Sequence, residues 1–143
     1  TSTPNTTTTV DCPGCTTGFT MRVASKGNIT NPGLWNSSSS VLIGSADDSF
    51  AATSSLQTGA KGYGIQATTT AGNGIAINTR FNWAISTNIV GGLTASSTFV
   101  TLASSSAGVT NQIITVRYKA AVSTITAAGS YSDNIYYSCT INP

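Results

Sequence analysis

The chain contains no histidine and no glutamate, and its only acids are Asp11, Asp47, Asp48 and Asp133. These absences exclude most hydrolytic chemistry. A serine or cysteine nucleophile normally relies on a neighbouring base, most often histidine. Glycoside hydrolysis needs two carboxylates across the scissile bond, which here only aspartates could supply. Three cysteines without histidine do not fill a four-ligand zinc site. The Asp47-Asp48 pair falls far short of the 6–8 oxygen ligands that calcium takes, and reads as an exposed loop. No catalytic residue, metal or cofactor is therefore assigned, and the expected protein is not an enzyme. Charged residues make up only 7% of the chain, against the ~25% usual in soluble domains. The net charge of +2 comes from Arg22, Lys26, Lys61, Arg80, Arg117 and Lys119. These are scattered rather than gathered with aromatics, so nucleic acid is not an expected partner. No run approaches the ~18 apolar residues of a membrane span, so no membrane insertion is expected.

What the chain has instead is serine and threonine, close to a third of its 143 residues. That surface chemistry is typical of secreted β-proteins and foreign to helical enzymes, whose exposed faces carry Glu, Lys and Arg. No segment repeats apolar residues with helical spacing over ten or more positions. Short runs of alternating residues do recur. Phe19, Met21 and Val23 share one face, and Val41–Ile43, Phe50–Leu56, Ile89–Val90 and Thr98–Leu102 read as further strands. Lys61–Thr69 and Ile75–Ile85 read as a hairpin around Ala71-Gly-Asn-Gly74, since Asn-Gly favours a type I′ turn. The strongest pattern lies at the C-terminus. Ile114, Val116, Tyr118, Ala120 and Val122 alternate with Thr115, Arg117 and Lys119. Tyr131, Ile135, Tyr137, Cys139 and Ile141 then alternate with Ser132, Asn134, Tyr136, Ser138 and Thr140. Opposite faces of a half-buried antiparallel pair write this period of two. The expected fold is all-β: an Ig-like, Greek-key sandwich of about eight to ten antiparallel strands. Residues 11–143 form that single domain, and residues 1–10 form an extended Thr-rich arm.

Cys12-Pro-Gly-Cys15 has redox-motif spacing, but no βαβ pattern follows it. A disulfide remains, and with it an oxidising compartment. Cys139 with Cys12 or Cys15 would close a loop of well over 100 residues, worth roughly 4–5 kcal/mol in the chain-entropy picture. The local Cys12–Cys15 alternative would rigidify only the Pro13-Gly14 turn. The long bridge is the expected one, and either choice leaves one thiol over.

Asn5, Asn28 and Asn36 head N-glycosylation acceptor patterns. Most aromatics read as core. Tyr136, outward by alternation, and Trp35 are the members of an alternative binding surface. Tyr131 follows Ile125-Thr-Ala-Ala-Gly-Ser, a small-residue corner like the tyrosine corner of Greek-key sandwiches, so its hydroxyl is expected to bond backbone in the preceding loop. An internal isopeptide bond would need Lys119 to meet Asp133, but the alternation points Lys119 outward.

The segment Ile114-Thr-Val-Arg-Tyr-Lys-Ala together with Thr126-Ala-Ala-Gly-Ser-Tyr-Ser-Asp-Asn-Ile-Tyr-Tyr137 resembles the closing hairpin of secreted bacterial Ig-like domains. Among these are spore-coat-U-like and chaperone–usher-type pilin subunits. The resemblance implies a subunit of an extracellular pilus, fimbria or surface layer that polymerises with copies of itself. In that reading the arm adds as a strand to a neighbour, with Thr6, Thr8 and Val10 facing inward. The alternative is a monomeric cell-surface adhesion module that binds glycans or a host surface. Both readings place the protein outside the cell or on its surface, a signal peptide having been removed before Thr1.

Overall fold

The structure, a computed structural model, describes residues 5–57, 59–84 and 86–143. The start of the arm, Thr1–Pro4, and the expected strand end at Ile85 lie outside the described residues. So does the side chain of Asn5. The fold is all-β, with no helix among the described residues and every strand pair antiparallel. Eleven strands are present there, slightly above the expected count, because several are only two to four residues long. One sheet runs β1 (Asn5–Cys12), β10 (Val109–Ala121), β6 (Gly62–Thr69), β8 (Ile89–Gly91), β5 (Thr53–Ser55). The second runs β11 (Ile135–Ile141), β2 (Phe19–Ser25), β9 (Val100–Ser105), β7 (Ala76–Ile77). A separate ribbon pairs β3 (Gly33–Asn36) with β4 (Val41–Gly44).

The two larger sheets share one apolar core. Phe19, Met21 and Val23 of β2 and Leu102 and Ala103 of β9 are buried with Tyr63, Ile65 and Ala67 of β6. Ile114 and Val116 of β10 and Val10 of β1 join them. The outer face of the first sheet is roofed by the chain between β7 and β8. Gln66, almost fully buried, donates from Nε2 to the carbonyls of Ile89 (2.6 Å) and Thr87 (3.1 Å). Lys119 donates from Nζ to the same Thr87 carbonyl. Lys119 is thus outward, as its alternation indicates, but covered. Asp133 instead accepts from Ser25 Oγ at 2.7 Å and Gly27 N–H at 2.8 Å. The two side chains hold different parts of the molecule, and no isopeptide pairing follows.

Three expectations are corrected here. First, the C-terminal strands are not a hairpin. β10 pairs with β1 and β6, while β11 pairs with β2, so the chain crosses between sheets through residues 122–134. Alternation reports which face a residue takes, and says nothing of which sheet its strand joins. Second, Ala71–Gly74 is also a crossing. Only Ala76–Ile77 continues as strand beyond it, and it pairs with β9. Asn78 then turns the chain away, accepting from Arg80 N–H on its side chain and from Phe81 N–H on its carbonyl. Third, the arm is not separate from the body. Asn5–Val10 pair with Gln112–Arg117 as the edge strand of the first sheet.

The disulfide is corrected as well. Cys12 bonds Cys15, their Cα atoms 5.4 Å apart, inside the usual 4.4–6.8 Å range. The reversal at Pro13-Gly14 brings the two together. Cys139 is an exposed free thiol on β11, opposite Met21 of β2. Burial pushes its thiol pKa up. Alkylation of denatured, unreduced protein followed by mass spectrometry is expected to add one label, at Cys139. Reduction first should raise the count to three, and a label on Cys12 or Cys15 without reductant would contradict the pairing.

Candidate functional site

Two places combine accessible geometry with unusual chemistry. The first is the open side between the two larger sheets, bounded by the edge strands β1 and β11. On β1, Thr6, Thr8 and Val10 stand opposite Val116, Ile114 and Gln112. Directly opposed residues share a sheet face, so all three point inward, here onto the core of their own chain. Val10 is buried, Thr8 half-buried and Thr6 exposed. The strand is held by its main-chain ladder and by little apolar area.

Across the gap, Tyr137, Cys139 and Ile141 sit opposite Val23, Met21 and Phe19 of β2. They therefore take the core-facing side, yet none is fully buried: Tyr137 is 37% exposed, Ile141 66%, and Cys139 is exposed as well. Alternation foresaw the face but not the exposure, because β11 is an edge strand that the facing sheet does not fully cover. A chain of hydroxyls spans the gap instead: Thr6 Oγ1 donates to Tyr118 Oη at 3.3 Å, which bonds Tyr137 Oη at 2.7 Å. Beside it lies a cavity of about 450 Å³ lined by Thr6, Tyr63, Tyr118, Tyr131 and Asp133 among others.

Burial raises the phenols of Tyr63 and Tyr137 above their ordinary value. The carboxylate of Asp133 adds to the effect at Tyr63, and the bond to Tyr118 adds to it at Tyr137. A folded-state pKa above the unfolded one favours the protonated fold. That stabilisation is complete below pH ~10 and is lost as pH rises through the folded values. Thermal melts across the alkaline range should show the midpoint falling from about pH 10. Tyr137→Phe, which cannot ionise, should flatten that fall; an unchanged slope would exclude Tyr137 as its source.

The second place surrounds Trp35. This residue exchanges both main-chain hydrogen bonds with Ser132, at 2.8 and 3.0 Å. The pair forms a saddle between two cavities. One, of about 260 Å³, is bounded by the Lys26–Ile29 loop and by Asp133 and Asn134. The other, of about 390 Å³, is bounded by Ser37–Ser39 and Ala128–Ser130. The loop is fixed from within. Asn28 Oδ1 accepts from Thr30 and Asn31 N–H, and Lys26 N–H donates to the Asn134 carbonyl. Ile29 stands in the left-handed region at φ 82° and is 74% exposed. A β-branched residue there is a genuine conformational outlier. Burial raises the pKa of Asp133, while its bonds from Ser25 and Gly27 oppose the rise.

The remaining sequence candidates fall as follows. Tyr131 Oη donates to the Ala127 carbonyl at 2.8 Å, the expected corner. Tyr136 is exposed opposite Ala24 on the outer face of the second sheet, and lines neither Trp35 cavity. Asn36 is buried, with Oδ1 accepting from Ser38 and Ser39 N–H, so the folded chain does not present it for glycosylation. Asn28 is half-buried and committed to its loop. The tyrosine cluster and the role of Asp133 escaped the sequence, since both depend on contacts between segments 19 to 112 residues apart that belong to different strands and loops. No protein-family model, no curated protein and no solved structure matches the chain.

Proposed function

We propose that the protein is a structural subunit of an extracellular filament, pilus- or fimbria-like, or of a surface layer, assembled by exchange of its N-terminal strand. The observation that carries this reading is β1. It is an edge strand with a single buried inward side chain, Val10, laid against β10 through a main-chain ladder. A second copy presents the same β10 edge, and main-chain pairing is indifferent to which molecule supplies the strand. Exchanging an identical element is a low-cost route to assembly, and head-to-tail exchange that does not close a ring builds a fibre. The low charge and hydroxyl-rich surface suit close packing of copies without mutual repulsion. The Cys12–Cys15 disulfide fits an oxidising, extracytoplasmic setting, and the resemblance to secreted Ig-like pilins points the same way.

Electron microscopy of native material tests the reading directly. Regular filaments or a lattice are the expected result. Monodisperse particles at every concentration would overturn it.

A further inference from the structure

We propose that the saddle formed by Trp35 and Ser132 is a binding site for a short neutral saccharide, with Trp35 supplying the stacking platform between two subsites. This inference is independent of strand exchange and goes beyond it.

The two cavities share Trp35 and Ser132, so a ligand with more than one ring can lie across both. Each cavity is close to or below the lower end of ligand-site volumes, ~300–1,000 Å³, which suits one small ring apiece. The chemistry of the walls narrows the class further. Hydroxyls and amides surround the indole: Ser37, Ser38, Ser39 and Ser130 on one side, Asn28 and Asn134 on the other. The one carboxylate present, Asp133, already receives Ser25 Oγ and Gly27 N–H on its two oxygens, so it offers little to a cation. A single lysine, Lys26, lines the site, which is thin provision for a phosphate or polyanion. What fits is a molecule with an apolar face and a rim of hydroxyls.

Ile29 adds a second apolar wall. Its exposed side chain borders the first cavity and is held in a conformation that glycine would adopt without strain. Nothing in the packing of the fold uses that side chain, and strain kept at a ligand-facing position is the pattern of a built site. The loop that carries it is fixed by Asn28 and by Asp133, so the wall is in place before a ligand arrives.

The test uses the full chain, isotope-labelled, titrated separately with cellobiose, mannobiose, chitobiose and the methyl glycosides of glucose, galactose and mannose at millimolar concentrations. The expected result is chemical-shift change confined to residues 26–29, 35, 37–39 and 130–134 for at least one sugar. Trp35→Ala should weaken that binding about tenfold or more, the scale of losing one stacked ring. Ile29→Gly keeps the test sharp should Trp35→Ala fail to fold. It relieves the strained φ, so the thermal midpoint should hold or rise while affinity falls about threefold or more. No shift with any of the six sugars, shifts elsewhere on the surface, or undiminished binding by both variants would each overturn the proposal.

Discussion

Removal of residues 1–10 is expected to abolish polymer formation while leaving a folded, less stable monomer. The truncation deletes most of β1 and keeps Asp11 and the Cys12–Cys15 loop. Of the deleted side chains whose burial is described, only Val10 is buried, so the apolar loss is about 1.5–3 kcal/mol. A domain of ordinary stability, ~5–15 kcal/mol, survives that. What the body cannot replace is the donor. Its β10 edge from Gln112 to Arg117 is left with unpaired main-chain groups on one side, an open template for a strand from elsewhere. A synthetic peptide of residues 1–11 should therefore bind the truncated protein, and should not bind the intact one, whose own strand occupies the edge. Sedimentation and negative-stain images of the two proteins read the first effect; fluorescence anisotropy of the labelled peptide reads the second. Polymers from the truncated protein would show that β1 is not the donor. A truncated monomer that ignores the peptide would show that β10 is not the acceptor.

The legible and illegible parts of this molecule divide along one physical line. Side-chain alternation is local, so the inward faces of β2 and β10 were readable, as was the Tyr131 corner, whose bond spans four residues. The inward set of β1, Thr6, Thr8 and Val10, was readable for the same reason. Sheet membership is not local. β10 and β11 carry the cleanest alternation in the chain and belong to different sheets, because the same period of two serves a hairpin and a crossing equally. The disulfide was misjudged on similar grounds. Loop-closure entropy favours the long bridge only if the thiols meet, and here Cys12 and Cys15 bond each other across the Pro13-Gly14 reversal while Cys139 stands opposite Met21 of β2. The Trp35 saddle was half legible: the tryptophan stood out, but its pairing with Ser132 and the cavities on either side depend on segments almost a hundred residues apart.

Phe81→Ala should be among the most damaging single substitutions in the chain, and the reason lies in a segment that reads as strand but folds as a cover. Phe81 is fully buried and belongs to the core cluster, though it stands outside every strand. Its carbonyl accepts from Ala67 N–H of β6, and its N–H donates to the Asn78 carbonyl, so the ring is pinned at both main-chain groups. Arg80 lies over the ring at 5.7 Å and donates from Nε to the Gly92 carbonyl. Gly91 completes the pocket, since a Cβ there would come within 2.2 Å of the ring and 2.5 Å of the Arg80 carbonyl oxygen. Truncation removes a fully buried ring from the core, and the cost should be about 3–5 kcal/mol. With urea slopes of ~1–3 kcal/mol/M, the unfolding midpoint should drop by at least about 1 M. Gly91→Ala should destabilise by the opposite error, overpacking against the same ring. Phe81→Leu on the Gly91→Ala background should then cost less than the two single changes added together, because the smaller side chain vacates the space the new methyl needs. Additive losses in that cycle would mean that the Arg80 carbonyl, which a Cβ on Gly91 would meet at 2.5 Å, and not the ring, sets the cost of Gly91→Ala.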